Sequence, residues 1–265
     1  MGIRQISLLS SYLLSDGGMS PRGKDSWTIY FRNNDDAVTE SFQECLKKCA
    51  KRRGYEAIRK DGSHFVKLHS FALGKELLKL SNSYRTTACG EHPICPFSKK
   101  TGRSRCLYCK KVLHENNEYP HANIPDEVSK SRKLGIEFLR IYATCDGGVS
   151  IAIGYKGSMP FLVRKVFIAV KHPILAKQLI GLLENIGYKP YYYGQQIRLT
   201  RSKDIIRFQK EIGFIKGAKI SGDSKYLRGY EKNQILETVV ESYNNPKRTI
   251  DFILSTRSSS ELKRD

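Results

Sequence analysis

The chain has 265 residues, with 46 Lys and Arg against 26 Asp and Glu (formal charge +20) and 40% apolar residues, enough for a packed core in one large or two modest domains. Such an excess of cations favours a polyanionic partner bound through phosphate contacts, with steep salt dependence. No run of about 18 apolar residues and no secretory leader is found, so a soluble intracellular protein without a membrane partner is expected.

The first apolar segment, Leu9-Ser-Ser-Tyr-Leu-Leu-Ser-Asp16-Gly17-Gly18, reads as a helix stopped by glycine in a left-handed turn. That puts Asp16 at a helix C-terminus, where the negative end of the macrodipole costs a carboxylate roughly 0.3–1 kcal/mol. In the strand region from Pro21 to Arg32, alternation sets Trp27, Ile29 and Phe31 against Thr28, Tyr30 and Arg32. The polar side, with Arg22 and Lys24, is a candidate groove face. A helical segment follows from about Asp36 to Arg53, and its Cys45 and Cys49 read as packing residues. Gly54-Tyr55, a return strand from His64 to Leu68 with Lys67 and His69 as polar candidates, and a helix from Ala72 to Leu80 complete the unit.

Four of the seven cysteines then cluster as C-x5-C-x10-C-x2-C: Cys89, Cys95, Cys106 and Cys109. Four thiolates suit one structural Zn²⁺ able to fold a segment too short for its own core, although His92 or His114 can replace a ligand. Four thiolates leave no open coordination position, which speaks against zinc catalysis. The prolines around them mark irregular chain, so the segment reads as an insertion.

The opening order then recurs. Leu139-Arg-Ile-Tyr-Ala-Thr-Cys-Asp146-Gly147-Gly148 precedes a strand from Val163 to Val170 (with Arg164 and Lys165), a helix from Pro173 to Asn185 and Gly187-Tyr188. Next come a strand from Gln196 to Thr200 and a helix from Lys203 to Glu211. Gln196 and Arg198 share a strand face, and both types pair bidentately with base edges in the major groove. Tyr191, Tyr193 and Arg201 flank them, although a solvated polar face has the same alternation. A further helical pattern covers Tyr226 to Asn245, and the serine-rich end from Ser255 reads as a frayed tail. Asp-Gly-Gly alone is ordinary turn chemistry. Two misplaced acids at matching positions of a duplicated unit instead suggest that a cation offsets their cost.

With these residues in view, the chain resembles the LAGLIDADG homing endonucleases. The signature falls on Leu9 through Gly17 and on Leu139 through Gly147. The resemblance implies a mixed α/β fold of two pseudo-symmetric αββαββα repeats, a saddle with antiparallel DNA-binding sheets. Residues 1–85 would be the first repeat, 86–130 the linker insertion, 131–250 the second repeat with a C-terminal helix, and 251–265 the tail. It further implies a monomeric, site-specific endonuclease that cuts both strands of an asymmetric duplex target, with Mg²⁺ or Mn²⁺ at Asp16 and Asp146. A lysine near the last strand would add charge, for which Lys219 is the preferred match and Lys216 the second. The usual glycine at the third signature position is Ser11 in one copy and Ile141 in the other, and Ile141 is expected to spread the central helices. The alternative is a nucleic-acid-binding protein on the same scaffold without cleavage, either an RNA maturase or a DNA-binding regulator.

Overall fold

A computed structural model describes residues 2–22, 26–84, 122–221 and 227–261. Lys24 and the cysteine cluster of Cys89, Cys95, Cys106 and Cys109 lie outside the described residues. The first repeat runs α1 (Ile3–Leu14), β1 (Gly17–Pro21), β2 (Trp27–Asn33), α2 (Asp36–Ala50), β3 (Tyr55–Ile58), β4 (His64–His69) and α3 (Phe71–Leu80). A short α4 (Asp126–Lys130) leads into α5 (Arg132–Asp146), β5 (Gly147–Lys156), β6 (Met159–Ala169), α6 (Pro173–Asn185), β7 (Tyr191–Tyr193), β8 (Gln196–Leu199) and α7 (Ser202–Glu211). Two further helices, α8 (Lys232–Glu241) and α9 (Pro246–Glu261), close the described chain.

Each repeat builds one four-stranded antiparallel sheet, and the orders match: β1-β2-β4-β3 and β5-β6-β8-β7. Capping residues set the helix that follows the second strand of each. Asp35 accepts a hydrogen bond from Val38 N at 3.1 Å and His172 Nδ1 accepts one from Leu175 N at 3.3 Å. Such a cap is worth about 1 kcal/mol. α1 and α5 form the centre, with Leu9, Leu13, Leu14, Phe138, Leu139 and Ala143 fully buried. The helices touch directly. Ser11 Oγ donates to Phe138 O at 2.8 Å, and Tyr142 Oη donates to Leu14 O at 3.3 Å. Ile141 is buried as well.

Four expectations are corrected. Gly17 and Gly147 do not take the left-handed turn: neither has positive φ, and Gly147 is extended at φ −130° and ψ −173°. Each is required by crowding at the passage from helix to strand, which is direct at Gly147 and follows the two-residue turn Ser15-Asp16 at Gly17. A Cβ at Gly17 would lie 2.8 Å from Tyr30 O, and one at Gly147 would lie 2.4 Å from Phe167 O and 2.7 Å from Ala143 O. The second glycine makes room for a ring across the ladder, since Gly18 pairs with Tyr30 and Gly148 with Phe167, whose rings lie over them. Asp-Gly-Gly is therefore a helix-to-strand junction with a ring seat. Second, that junction opens strands β1 and β5, which glycine-rich sequence disguises. Third, Tyr226 to Asn245 is not one helix, because α8 begins only at Lys232. Fourth, the expected frayed end is helical as far as Glu261, and α9 buries Ile253.

The ends of the described chain on either side of residues 85–121 meet at a Ser83–Ala122 bridge. Ile124 N donates to Gln178 Oε1 at 2.9 Å, which fixes the returning segment on α6.

Candidate metal centre and nucleic-acid face

Asp16 follows α1 and Asp146 ends α5, so the central helices deliver both acids to one place. Burial raises the Asp16 pKa, opposed by a hydrogen bond from Asn33 and the charge of Lys232. Burial raises Asp146 further, the charge of Asp16 adds to it, and Lys232 and Lys171 oppose. The two carboxylates thus repel one another across a poorly solvated space. Asp16 has a fixed partner: Asn33 Nδ2 donates to its Oδ2 at 2.6 Å, and Asn33 Oδ1 accepts from Asp35 N at 2.8 Å.

The cation at this place is Lys232, which the sequence reading missed. Its side chain is buried, and Nζ donates to Thr144 O at 2.5 Å and to Gly147 O at 2.8 Å. These are orphan carbonyls at the C-terminal end of α5, which a cation satisfies and which favour positive charge. Burial lowers the pKa of Lys232, while Cys145, Asp16, Asp35 and Asp146 hold it up. The expected candidates Lys219 and Lys216 are both exposed. Lys219 uses its backbone N to donate to Asp35 Oδ2 at 2.6 Å, tying the second repeat to the α2 cap of the first. The signal for Lys232 is positional: it heads an apolar helix, Lys-Asn-Gln-Ile-Leu, whereas the sequence pattern places it inside a longer one from Tyr226 to Asn245.

Two carboxylates without a third partner fit a hard divalent cation. Among the described residues no group of three or more His, Cys, Asp and Glu forms a metal cluster. Mg²⁺ is commonly held by one or two carboxylates, with water and phosphate oxygens completing its shell. The mutual repulsion of Asp16 and Asp146 is what such a cation would relieve.

The sheets present the remaining candidates. In the first, Tyr30 pairs with Lys67 and Thr28 with His69, placing these on the face opposite buried Ile29 and Phe31. Tyr30 stacks on Phe65 with centroids 6.2 Å apart, and Lys67 Nζ lies 5.1 Å from the Tyr55 ring. Arg32 shares the face but is engaged by Asp61 and by Ser63 Oγ. Arg22 is exposed at the sheet edge. In the second, Lys165, Gln196, Arg198, Tyr191 and Tyr193 share a face, as the Phe167–Arg198, Tyr191–Arg198 and Tyr193–Gln196 pairs require. Arg198 lies 4.7 Å from the Tyr193 ring and donates to Gln196 Oε1 at 3.1 Å, while Arg201 lies just beyond, exposed.

Arg164 is a correction. Neighbours on a strand point to opposite faces, so it cannot accompany Lys165. Its guanidinium donates to Ser242 Oγ at 2.6 Å and Ser242 O at 2.9 Å, and stacks 4.5 Å from the Tyr243 ring. It fastens α8 to the back of β6.

This architecture, two matching repeats about a central helix pair that ends in paired acids, is the two-repeat LAGLIDADG fold. Among solved structures, the chain is similar to the LAGLIDADG meganuclease I-AabMI bound to uncleaved DNA (TM-score 0.57, 12% identity, 97% of this chain and 98% of that one). It is also similar to the LAGLIDADG meganuclease I-CpaMI bound to uncleaved DNA (TM-score 0.56, 11% identity, 96% and 98%). A third is the I-SmaMI LAGLIDADG homing endonuclease bound to cleaved DNA (TM-score 0.53, 10% identity, 95% of each chain). No family profile and no curated protein sequence matches the chain. Among the described residues no helix is long and apolar enough to cross a membrane.

Proposed function

We propose that the protein is a single-chain, site-specific DNA endonuclease that hydrolyses phosphodiester bonds in both strands of a duplex. The observation that carries this reading is the pair Asp16 and Asp146 with buried Lys232 beside them. Asp16 and Asp146 would hold the divalent cation, which supplies activated water and neutralises the leaving oxygen. Asn33 fixes the Asp16 carboxylate, so that one side of the site is oriented before substrate arrives. Lys232 keeps a positive charge at the end of α5, where charge develops on a phosphate oxygen. Lys67, Lys165 and Arg198 meet phosphates and base edges.

The two sheets differ in reach. β1 and β2 span Gly17–Pro21 and Trp27–Asn33, whereas β5 and β6 span Gly147–Lys156 and Met159–Ala169. Unlike arms imply unlike half-sites and therefore an asymmetric target. The experiment is selection from a randomised duplex library with Mg²⁺, sorting bound from cleaved sequences. Expected is one family of cut sites, and Asp16→Asn and Asp146→Asn chains that bind it with cleavage at least about 10³-fold slower. A wild type that binds a defined site and never cuts it would overturn the nuclease reading in favour of a regulator. Preference for structured RNA would overturn it in favour of a maturase.

A further inference from the structure

The outer part of the second sheet changes chemistry. Moving away from the acids along β6, Lys165 gives way to Val163 beside Ala152, then to Phe161 beside Gly154, then to Met159 near the hairpin tip. Val163, Phe161 and Met159 are 45%, 48% and 70% exposed, so this is an apolar strip open to solvent on a chain of +20. It continues the face that carries Lys165. Phe161 is held flat rather than waving free, because its ring covers the bare backbone of Gly154, where a Cβ would come within 2.6 Å. The corresponding face of the first sheet offers Thr28, Tyr30, Lys67 and His69.

In the major groove of DNA, one base-edge group is apolar: the C5-methyl of thymine. Three side chains at alternate strand positions span about 13 Å, roughly four base-pair steps of 3.4 Å. We infer that Val163, Phe161 and Met159 read thymine methyl groups, so that the half-site under the second sheet carries T·A pairs outside the positions met by Lys165 and Arg198. This rests on the DNA reading above. RNA is a poor occupant for the strip, since uracil lacks the methyl and the A-form major groove is too deep and narrow for side chains.

The test uses the full chain without divalent metal, so that binding is measured apart from cleavage. The half-site under the second sheet is identified as the one whose base preference relaxes in Arg198→Ala. Deoxyuridine then replaces thymidine at its outer positions, a change that removes only methyl groups. Expected is a loss of affinity of about three- to fourfold per methyl, the penalty for one buried methyl-sized group. Phe161→Ser and Val163→Thr chains are each expected to lose the penalty only at the position that residue meets and to keep it at the others. Selected sites without thymine at those positions overturn the inference, as does equal affinity for the uracil duplex. So does a dimer in sedimentation that Phe161→Ser disperses, because the strip would then cover a second copy. Failure to select any duplex sequence overturns the DNA reading itself.

Discussion

The two repeats share one topology and one acid apiece, yet hold those acids differently. Both feel the charge of Lys232, but Asp16 also receives a 2.6 Å hydrogen bond from Asn33, whereas Asp146 is more deeply buried, feels the charge of Asp16, and has only charge, from Lys232 and Lys171, to oppose its burial. The buried lysine also comes from the second repeat. A duplicated scaffold has thus placed an orienting hydrogen bond on one side of its centre only, while one buried lysine compensates the charge of both acids.

The sharpest way to break this comparison is to neutralise each acid in turn. A folded-state pKa raised above the unfolded value means that the ionised group opposes folding at every pH above the unfolded value. Asp146→Asn is therefore expected to abolish cleavage and yet raise stability by about 0.5–2 kcal/mol. Asp16→Asn abolishes cleavage with a smaller gain, because the Asn33 bond to a charged acceptor is lost. Thermal melts of the metal-free chains decide this, and equal Tm shifts would show that the acids are equivalent.

Lys232 is next. Lys232→Met removes the positive charge beside the acids and leaves Thr144 O and Gly147 O without their donor. Cleavage is expected to fall about 10²-fold or more, with a stability loss of roughly 1–3 kcal/mol from the unsatisfied carbonyls. Lys219→Met, on an exposed side chain, is expected to leave both quantities nearly unchanged. If Lys219→Met alone abolishes cleavage, the buried lysine is structural.

The junction glycines permit a finer comparison. A Cβ at Gly147 meets two backbone oxygens at 2.4 and 2.7 Å, while one at Gly17 meets Tyr30 O at 2.8 Å and Leu13 atoms at 3.0 Å. Backbone cannot swing aside as a side chain can. Gly147→Ala should therefore cost more than Gly17→Ala, about 3 kcal/mol against about 1 kcal/mol on the scale of overpacked sites, read from urea midpoints. Arg164 and Lys165 split in the same way by face: Arg164→Met is expected to cost about 2 kcal/mol of stability through its lost bonds to Ser242 and to leave DNA affinity intact. Lys165→Met should do the reverse.

Much of this was legible because it was periodic or repeated. The apolar run before each Asp-Gly-Gly located α1 and α5, and the expected helix from Pro173 to Asn185 has the bounds of α6, which His172 caps and Pro173 opens. Tyr30, Lys67, Gln196 and Arg198 fell on the expected faces because alternation is a local rule. What escaped was set by distant chain. Nothing near Gly147 announces Phe167 O, and nothing near Lys232 announces the carbonyls of Thr144 and Gly147. Arg164 looked like Lys165 until its partner Ser242 came into place.

The smallest predicted effect tests a network that the second repeat has built at the far side of α5. Glu211 accepts from Arg132 at 2.8 Å and Arg207 at 3.1 Å, and Tyr188 Oη lies 3.4 Å away, so one acid joins α5 to α7. Burial alone would raise its pKa, but the bonds and charges of Arg207 and Arg132 outweigh that and hold it below the usual glutamate value. A depressed acid contributes stability that is present above its unfolded pKa and is lost as pH falls through its folded pKa. The window therefore lies below about pH 4.5, the ordinary glutamate range. Arg132 is 53% exposed and Glu211 is 30% exposed, so solvent screens the pair and the contribution is about 0.5 kcal/mol. Glu211→Gln should lower the urea midpoint slightly at pH 7 and flatten its fall between about pH 4.5 and 3, with the gap closing as salt is added. In the first repeat α3 ends with the exposed pair Lys79–Glu76, on a single helix, and Glu76→Gln is expected to change neither. If the two variants respond alike to acid, the Glu211 network is no more than surface pairing, and the two repeats are fastened equally well.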